Sequence, residues 1–338
     1  MPRNEALELI DCPNMRGLEI GPLHSPLVAK TDGDVSYVDF YSTEELRRRY
    51  EANTQMRLHL DDIVDVDYVI KEGTSLAEAT KEKGPFDYII ASHVIEHVAN
   101  PIGWFKDASS VVVPEGLISL VVPDKRFTFD VNRETTRPQD WIGWYLRDLR
   151  APSYEQVFDF YAHVTTIDGM VDTPGIWAGT ADYAGVRRSD VPDPDAAAFS
   201  SCLHHYDTSE YIDVHAGVYT PEVFLSLLEL SINLDLLDLE VAHFLTTQRD
   251  ELEFYLTLRK APRASKEQRL QSVREALTQI DSAEAPESSR LLSKSLVEGP
   301  SCSDRSPPHS WLVVSDKERR AIVAKRRLLR RLRMLWNH

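Results

Sequence analysis

An acid, a glycine and a second acid set the chemistry of the first forty residues. In MRGLEIGPLHSPL (15–27) an apolar run ends around Glu19, Gly21 follows, and the chain turns. Asp39 closes the next apolar run, 20 residues after Glu19. Such a junction suits a nucleotide-binding α/β sheet, and an acid at Asp39 can accept hydrogen bonds from both hydroxyls of a ribose lying across the strand ends. A dinucleotide would need GxGxxG, because backbone must approach a pyrophosphate closely at a helix N-terminus. Here Gly21 is followed by Pro22, Leu23, His24, Ser25 and Pro26, and the two prolines remove backbone donors. S-adenosylmethionine has no phosphate and tolerates this bulkier loop. Its ammonium and sulfonium charges also suit an acidic strand end such as Glu19. The methyl donor is the better fit, and His24 reads as a loop residue.

The elements that must position these groups alternate along the chain. Short apolar runs at 17–20, 35–38, 86–91 and 116–122, with a weaker one at 65–70, read as strands. Helical stretches separate them, such as 42–52, where Ser42 and Glu45 form a capping box. Strands separated by helices give βαβ units and a parallel sheet. Thr220 and Pro221 open a later helix that buries Phe224, Leu227, Leu228 and Ile232. Runs at 236–244 and 251–258 then read as an antiparallel pair closing the sheet edge. The expected fold is a doubly wound, Rossmann-like α/β sheet, mostly parallel with an antiparallel last strand and an inserted α-rich lid.

The expected division of the chain follows from composition. Residues 1–125 are the first part of the cofactor-binding domain and 216–260 its end. Between them, 126–215 is rich in aromatic residues, Asp, Thr, His and Pro and reads as a substrate lid, with helices near 141–150 and 154–164 and an exposed loop at 186–199. Residues 261–310 hold 11 Ser and 5 Pro, so 261–316 reads as a mostly disordered linker, with a short helix placing Leu270, Val273, Leu277 and Ile280 on one face. Residues 317–338 read as a basic amphipathic helix.

Through LEIGPLHSPL (18–27), YVDF (37–40), FDYIIASHVIEHVANP (86–101) and GLISLVVPDKRFTFD (116–130), the chain resembles the class I S-adenosylmethionine-dependent methyltransferases, in the branch called type 11. The resemblance resumes at VYTPEVF (218–224) and ELEFYLTLRK (251–260). Where the family has its second glycine, this chain has Leu23. The resemblance implies that Glu19 and Gly21 hold the amino-acid end of the cofactor and Asp39 its ribose. It further implies that 73–76 lie near adenine, and that Ala91, Ser92 and His93 flank the methionine moiety. PDKRFTFD is loosely similar to a subgroup found beside surface-polysaccharide and other glycan genes.

Methyl transfer to a hydroxyl benefits from a general base, worth about 10²–10⁴-fold. His93, His97, Asp124 and His215 are the candidates, with His93, Asp124 and His215 taken as the catalytic set. Each has a plainer reading: pocket shaping for His93, capping or packing for Glu96-His97, and a turn for Asp124. Arg126 could orient an acceptor or pair with Asp130. Some quinone-pathway relatives are similar at Glu96-His97 and use those residues near a metal. No second ligand cluster is evident here, so no metal is expected. His204, His205 and His215, with Asp207 and Asp213, lack zinc-site spacing and read as a polar substrate lid. Trp141, Trp144 and Tyr145 read as core packing. The expected reaction is O-methylation of a sugar, glycan or secondary-metabolite hydroxyl. N-methylation of a small molecule and a non-catalytic cofactor-binding scaffold are the alternatives.

Composition narrows the partners. The 338 residues are 42% hydrophobic, with 54 acidic and 38 basic side chains for a net charge of −16. Residues 1–260 carry −23 and 317–338 carry +8. The acidic body argues against a nucleic-acid partner. In the tail Leu328, Leu329, Leu332, Leu335 and Trp336 share a face among arginines, which suits an interfacial helix on anionic lipid or docking on a protein partner. Cys12, Cys202 and Cys302 form no CxxC pair, so a reducing, cytoplasmic compartment is expected, peripheral to membrane if the tail docks there.

Overall fold

A seven-stranded sheet organises the computed structural model, which describes residues 3–51, 59–70, 74–166, 171–208 and 210–282. Its strands are β1 (Arg16–Ile20), β2 (Asp34–Asp39), β3 (Tyr68–Val69), β4 (Phe86–Ser92), β5 (Val112–Pro123), β6 (Leu239–Leu245) and β7 (Glu253–Lys260). They lie in the order β3-β2-β1-β4-β5-β7-β6. The pairs from β3 through β5 are parallel, and β7 runs antiparallel to both β5 and β6. The two closing strands are thus the expected antiparallel pair, with the last in sequence inserted beside β5.

The central strands are apolar on both faces, as parallel strands covered by helices must be. Leu18, Ile20, Val38, Ile89 and Ala91 point to one layer, while Val35, Tyr37, Tyr88, Ile90 and Leu117 point to the other. The helices are α1 (Arg3–Ala6), α2 (Thr43–Glu51), α3 (Leu76–Ala79), α4 (Pro101–Val111), α5 (Pro138–Leu146), α6 (Tyr154–His163), α7 (Thr173–Ala178), α8 (Pro194–Thr208), α9 (Pro221–Asn233) and α10 (Lys266–Ser282). Phe105 of α4 and Phe224, Leu227 and Leu228 of α9 fill the larger layer. α2 opens on the Ser42–Glu45 box, whose two backbone-to-side-chain bonds are 2.9 and 3.3 Å. α9 opens on Thr220, whose hydroxyl accepts from Val223 N at 3.3 Å, with Pro221 in the first turn.

Two expectations from composition are corrected. The segment read as a disordered linker begins with the 17-residue α10, which packs Leu270, Val273 and Ala276 into the sheet core. The Ser/Pro average misled because those residues crowd the later part of 261–310, while 266–280 hold one Ser and no Pro. The loop expected at 186–199 ends early, because Asp193 accepts from Ala196 N at 3.0 Å and starts α8 at Pro194. The rest of the expected linker and the basic tail at 317–338 lie outside the described residues. No helix among the described residues is long and apolar enough to cross a membrane.

Candidate active site

The C-terminal ends of β1, β2, β4 and β5 converge, because Ile20 pairs with Val38 and with Ala91, and Ser92 pairs with Val121. Gly21 leaves β1 at φ +65°, a conformation that favours glycine, and its N–H donates to Val38 O at 2.9 Å. Among the described residues a Cβ at Gly21 would meet nothing nearer than Val94 at 3.4 Å, so the turn's geometry rather than crowding explains the residue. Leu23, in place of the family's second glycine, sits at φ +47° and so follows the left-handed turn without one. Glu19 is 2% exposed, and its carboxylate accepts from Leu27 N at 2.7 Å and Val28 N at 3.1 Å. The acid therefore pins the loop after β1. His24 is exposed on that loop.

Asp39 ends β2, half-buried, with Oδ1 accepting from Tyr41 N at 3.1 Å. Burial pushes its carboxyl up; the Tyr41 and Phe40 amides work the other way, and the Asp213 charge adds to the rise. Phe40 stacks on Tyr211 with ring centroids 5.1 Å apart, tying the end of β2 to the stretch before α9. Gly73 of the expected adenine loop lies outside the described residues, and Ser75 forms a capping box with Glu78 at the start of α3.

Ala91 is fully buried and Ser92 half-buried at the end of β4. His93 follows at φ +53°, and its Nε2 lies 2.7 Å from Glu253 Oε2 on β7. Partial desolvation pulls the His93 pKa down, but the Glu253 hydrogen bond and the charges of Glu96 and Glu253 lift it above the ordinary value. Burial pushes the Glu253 carboxyl up, and the same His93 bond and charge bring it net below its usual range. Glu253 escaped the sequence reading because 160 residues separate the partners. Only the β5–β7 register, which sets Pro123 opposite Glu253, brings them together.

Beside this pair lies a second polar group. Glu96 and His97 sit on the single 3₁₀ turn Ile95–His97 rather than on a long helix. His97 Nδ1 lies 2.9 Å from Asp213 Oδ1, and His215 Nδ1 lies 2.5 Å from Asp130 Oδ2. The two imidazoles meet edge to face, with centroids 4.7 Å apart. Burial pulls His97 down, but the Asp213 hydrogen bond and charge, with Glu96, push it up to about 9. Arg133, 1% exposed, donates to Asp130 at 2.8 Å, to Asp159 at 2.9 Å and to His215 O at 2.8 Å. Burial alone would raise the Asp130 carboxyl; the His215 and Arg133 charges instead hold it well below the carboxylate range.

The other expected site residues fall elsewhere. Asp124 is fully buried, and its oxygens accept from Arg126 Nε at 3.0 Å, Arg126 Nη2 at 2.6 Å and Thr247 Oγ1 at 2.7 Å. A carboxylate so enclosed and engaged closes the end of β5, which corrects its place among the bases. Arg126 accordingly pairs with Asp124, not with Asp130. His204 turns to Glu210 at 3.1 Å, and His205 to Glu210 O at 2.7 Å, on the exposed face of α8. Trp141 and Trp144 are core residues, with Trp141 Nε1 donating to Ser231 Oγ at 2.9 Å.

Residues 11–169 match the family model described as a methyltransferase domain. No curated protein matches the chain. Among solved structures the chain is similar to the CurJ carbon methyltransferase, at 10% identity over 75% of this chain and 51% of that one, TM-score 0.33. It is similar to the glycopeptide N-methyltransferase MtfA complexed with sinefungin, at 13% identity over 36% and 53%, TM-score 0.25. It is also similar to an S-adenosylmethionine-dependent methyltransferase from Mesorhizobium loti, at 10% identity over 74% and 93%, TM-score 0.35. The chain spans about half the length of the first two. The match makes residues 11–169 a methyltransferase domain, whose strands β1 to β5 belong to this seven-stranded α/β sheet.

Proposed function

We propose that the protein binds S-adenosylmethionine across the ends of β1, β2 and β4 and methylates a hydroxyl of a sugar, glycan or secondary-metabolite acceptor. The donor set fits that cofactor. Gly21 offers an open backbone turn, Asp39 a half-buried carboxylate for a diol, and Glu19 a negative charge suited to a cationic ligand. Ala91 and Ser92 would line the methionine side. When bound, the cofactor supplies a methyl group already activated on a sulfonium, so the chain's main task is alignment.

The His93–Glu253 pair carries the choice of a hydroxyl acceptor, because a hydroxyl must lose a proton as it is methylated. Glu253 accepts the Nε2–H of His93, which leaves Nδ1 to take that proton. A lid over this edge is supported by α7, whose Trp177 donates to Glu251 O at 2.8 Å and stacks on Phe127 at 4.2 Å. The test is incubation with methyl-labelled cofactor and a panel of hydroxyl-bearing glycans and metabolites, with products identified by mass spectrometry. A labelled methyl ether is expected. Label on nitrogen or carbon, or turnover that His93→Gln leaves unchanged, would contradict the reading.

A further inference from the structure

Glu96 is 1% exposed, and among the described residues neither of its carboxylate oxygens has a hydrogen-bond partner. Two ring nitrogens lie near it, His93 Nδ1 at 3.6 Å and His97 Nε2 at 3.9 Å. Both distances are too long for a hydrogen bond. A buried carboxylate in that state calls for a cation in front of it.

The two neighbouring imidazoles are arranged to receive one. His97 gives Nδ1 to Asp213 at 2.9 Å, and His215 gives Nδ1 to Asp130 at 2.5 Å. Each carboxylate fixes the tautomer with the proton on Nδ1 and leaves Nε2 as the donor nitrogen, the arrangement that metal-binding histidines adopt. One ligand atom from each of Glu96, His97 and His215 lies within 4.8 Å of the other two. The geometry is also braced from outside. Gly217 N donates to Glu96 O at 2.9 Å, and Arg133 holds both Asp130 and His215 O at 2.8 Å.

From this geometry we infer that Glu96, His97 and His215 form a site for one divalent first-row transition-metal cation of the zinc type. Two imidazoles and a carboxylate favour such an ion over magnesium or calcium, which prefer all-oxygen shells. Three protein ligands leave at least one coordination position for water or an oxygen of a bound molecule. The site is defined by these side chains alone and goes beyond the proposed methyl transfer. His215, 118 residues from His97 in sequence, is the ligand that spacing could not supply.

The test is titration of chelator-treated full-length protein with Co²⁺, read by visible d–d absorption and by equilibrium dialysis. One equivalent per chain is expected, displaced by Zn²⁺ and not by Mg²⁺ or Ca²⁺. Glu96→Gln and His215→Gln should each weaken binding by more than about tenfold, and Asp130→Asn by about tenfold. His204→Gln should leave it unchanged. No equivalent bound by the wild type overturns the site. Wild-type affinity in both Glu96→Gln and His215→Gln overturns it as well. Because the readout is metal binding, it stands apart from failure to bind S-adenosylmethionine or to transfer methyl.

Discussion

Asp39 and His93 are where single side chains decide the proposed chemistry. A carboxyl accepts from both hydroxyls of a diol through its two oxygens best when ionised, and burial raises the Asp39 pKa. Cofactor affinity should therefore be full near neutral pH. It should fall as pH drops through that raised value, sooner than an ordinary aspartate near 3.9 would require. Asp39→Asn should weaken binding by about 10–100-fold, as loss of hydrogen bonds to a charged group implies, and flatten the pH profile. Calorimetry from neutral pH down through the ordinary carboxylate range checks both, and an unchanged profile in the variant would remove Asp39 from the ribose site. His93→Gln should lower kcat by about 10²-fold or more with little change in cofactor affinity. At this scale the sequence showed which residues carry charge but not what they touch. Glu19 and Asp124 were legible as acids at strand ends. That Glu19 pins a loop and Asp124 is locked by Arg126 and Thr247 emerges only with the fold.

Among the elements, α10 gives the sharpest contrast between apolar packing and surface charge. Leu270 is 5% exposed against the sheet core, whereas Arg274 on the same helix pairs with Glu229 and Glu267 in solvent. Leu270→Ala should cost about 2–4 kcal/mol of stability, from lost transfer energy plus a cavity. Arg274→Ala should cost at most about 1 kcal/mol, because exposed ion pairs are screened. Urea denaturation of both variants checks this, and equal losses would contradict the docking of α10. The helix was readable from the spacing of Leu270, Val273, Leu277 and Ile280, but a composition average over fifty residues submerged it. Strands and caps were easier. Continuous apolar runs mark β1, β4 and β5, and Thr220-Pro221 marks α9, because these signals lie within a few residues of one another. The helices of 126–215 were harder to bound, since their aromatic residues are buried in some places, as Trp141, and exposed in others, as Tyr154.

Across the whole molecule, charge and topology act together. The net −16 is an average over a body of −23 in residues 1–260 and a segment of +8 at 317–338. An acidic body attracts a cationic cofactor more than its demethylated product, which lacks the sulfonium charge. Raising salt should therefore weaken binding of S-adenosylmethionine more than that of the product. The alternation of strands and helices predicted a parallel sheet, but not which strands adjoin. Insertion of β7 between β5 and β6 is what sets Glu253 beside His93. The chain's return after α8 is what sets His215 beside His97. Long-range pairings of this kind have no local signature. The most direct measurement is calorimetric titration of the full-length protein with S-adenosylmethionine and with its demethylated product. One-to-one binding of both is expected, with salt weakening the first more than the second. Absence of binding by either would contradict the cofactor site at the ends of β1, β2 and β4.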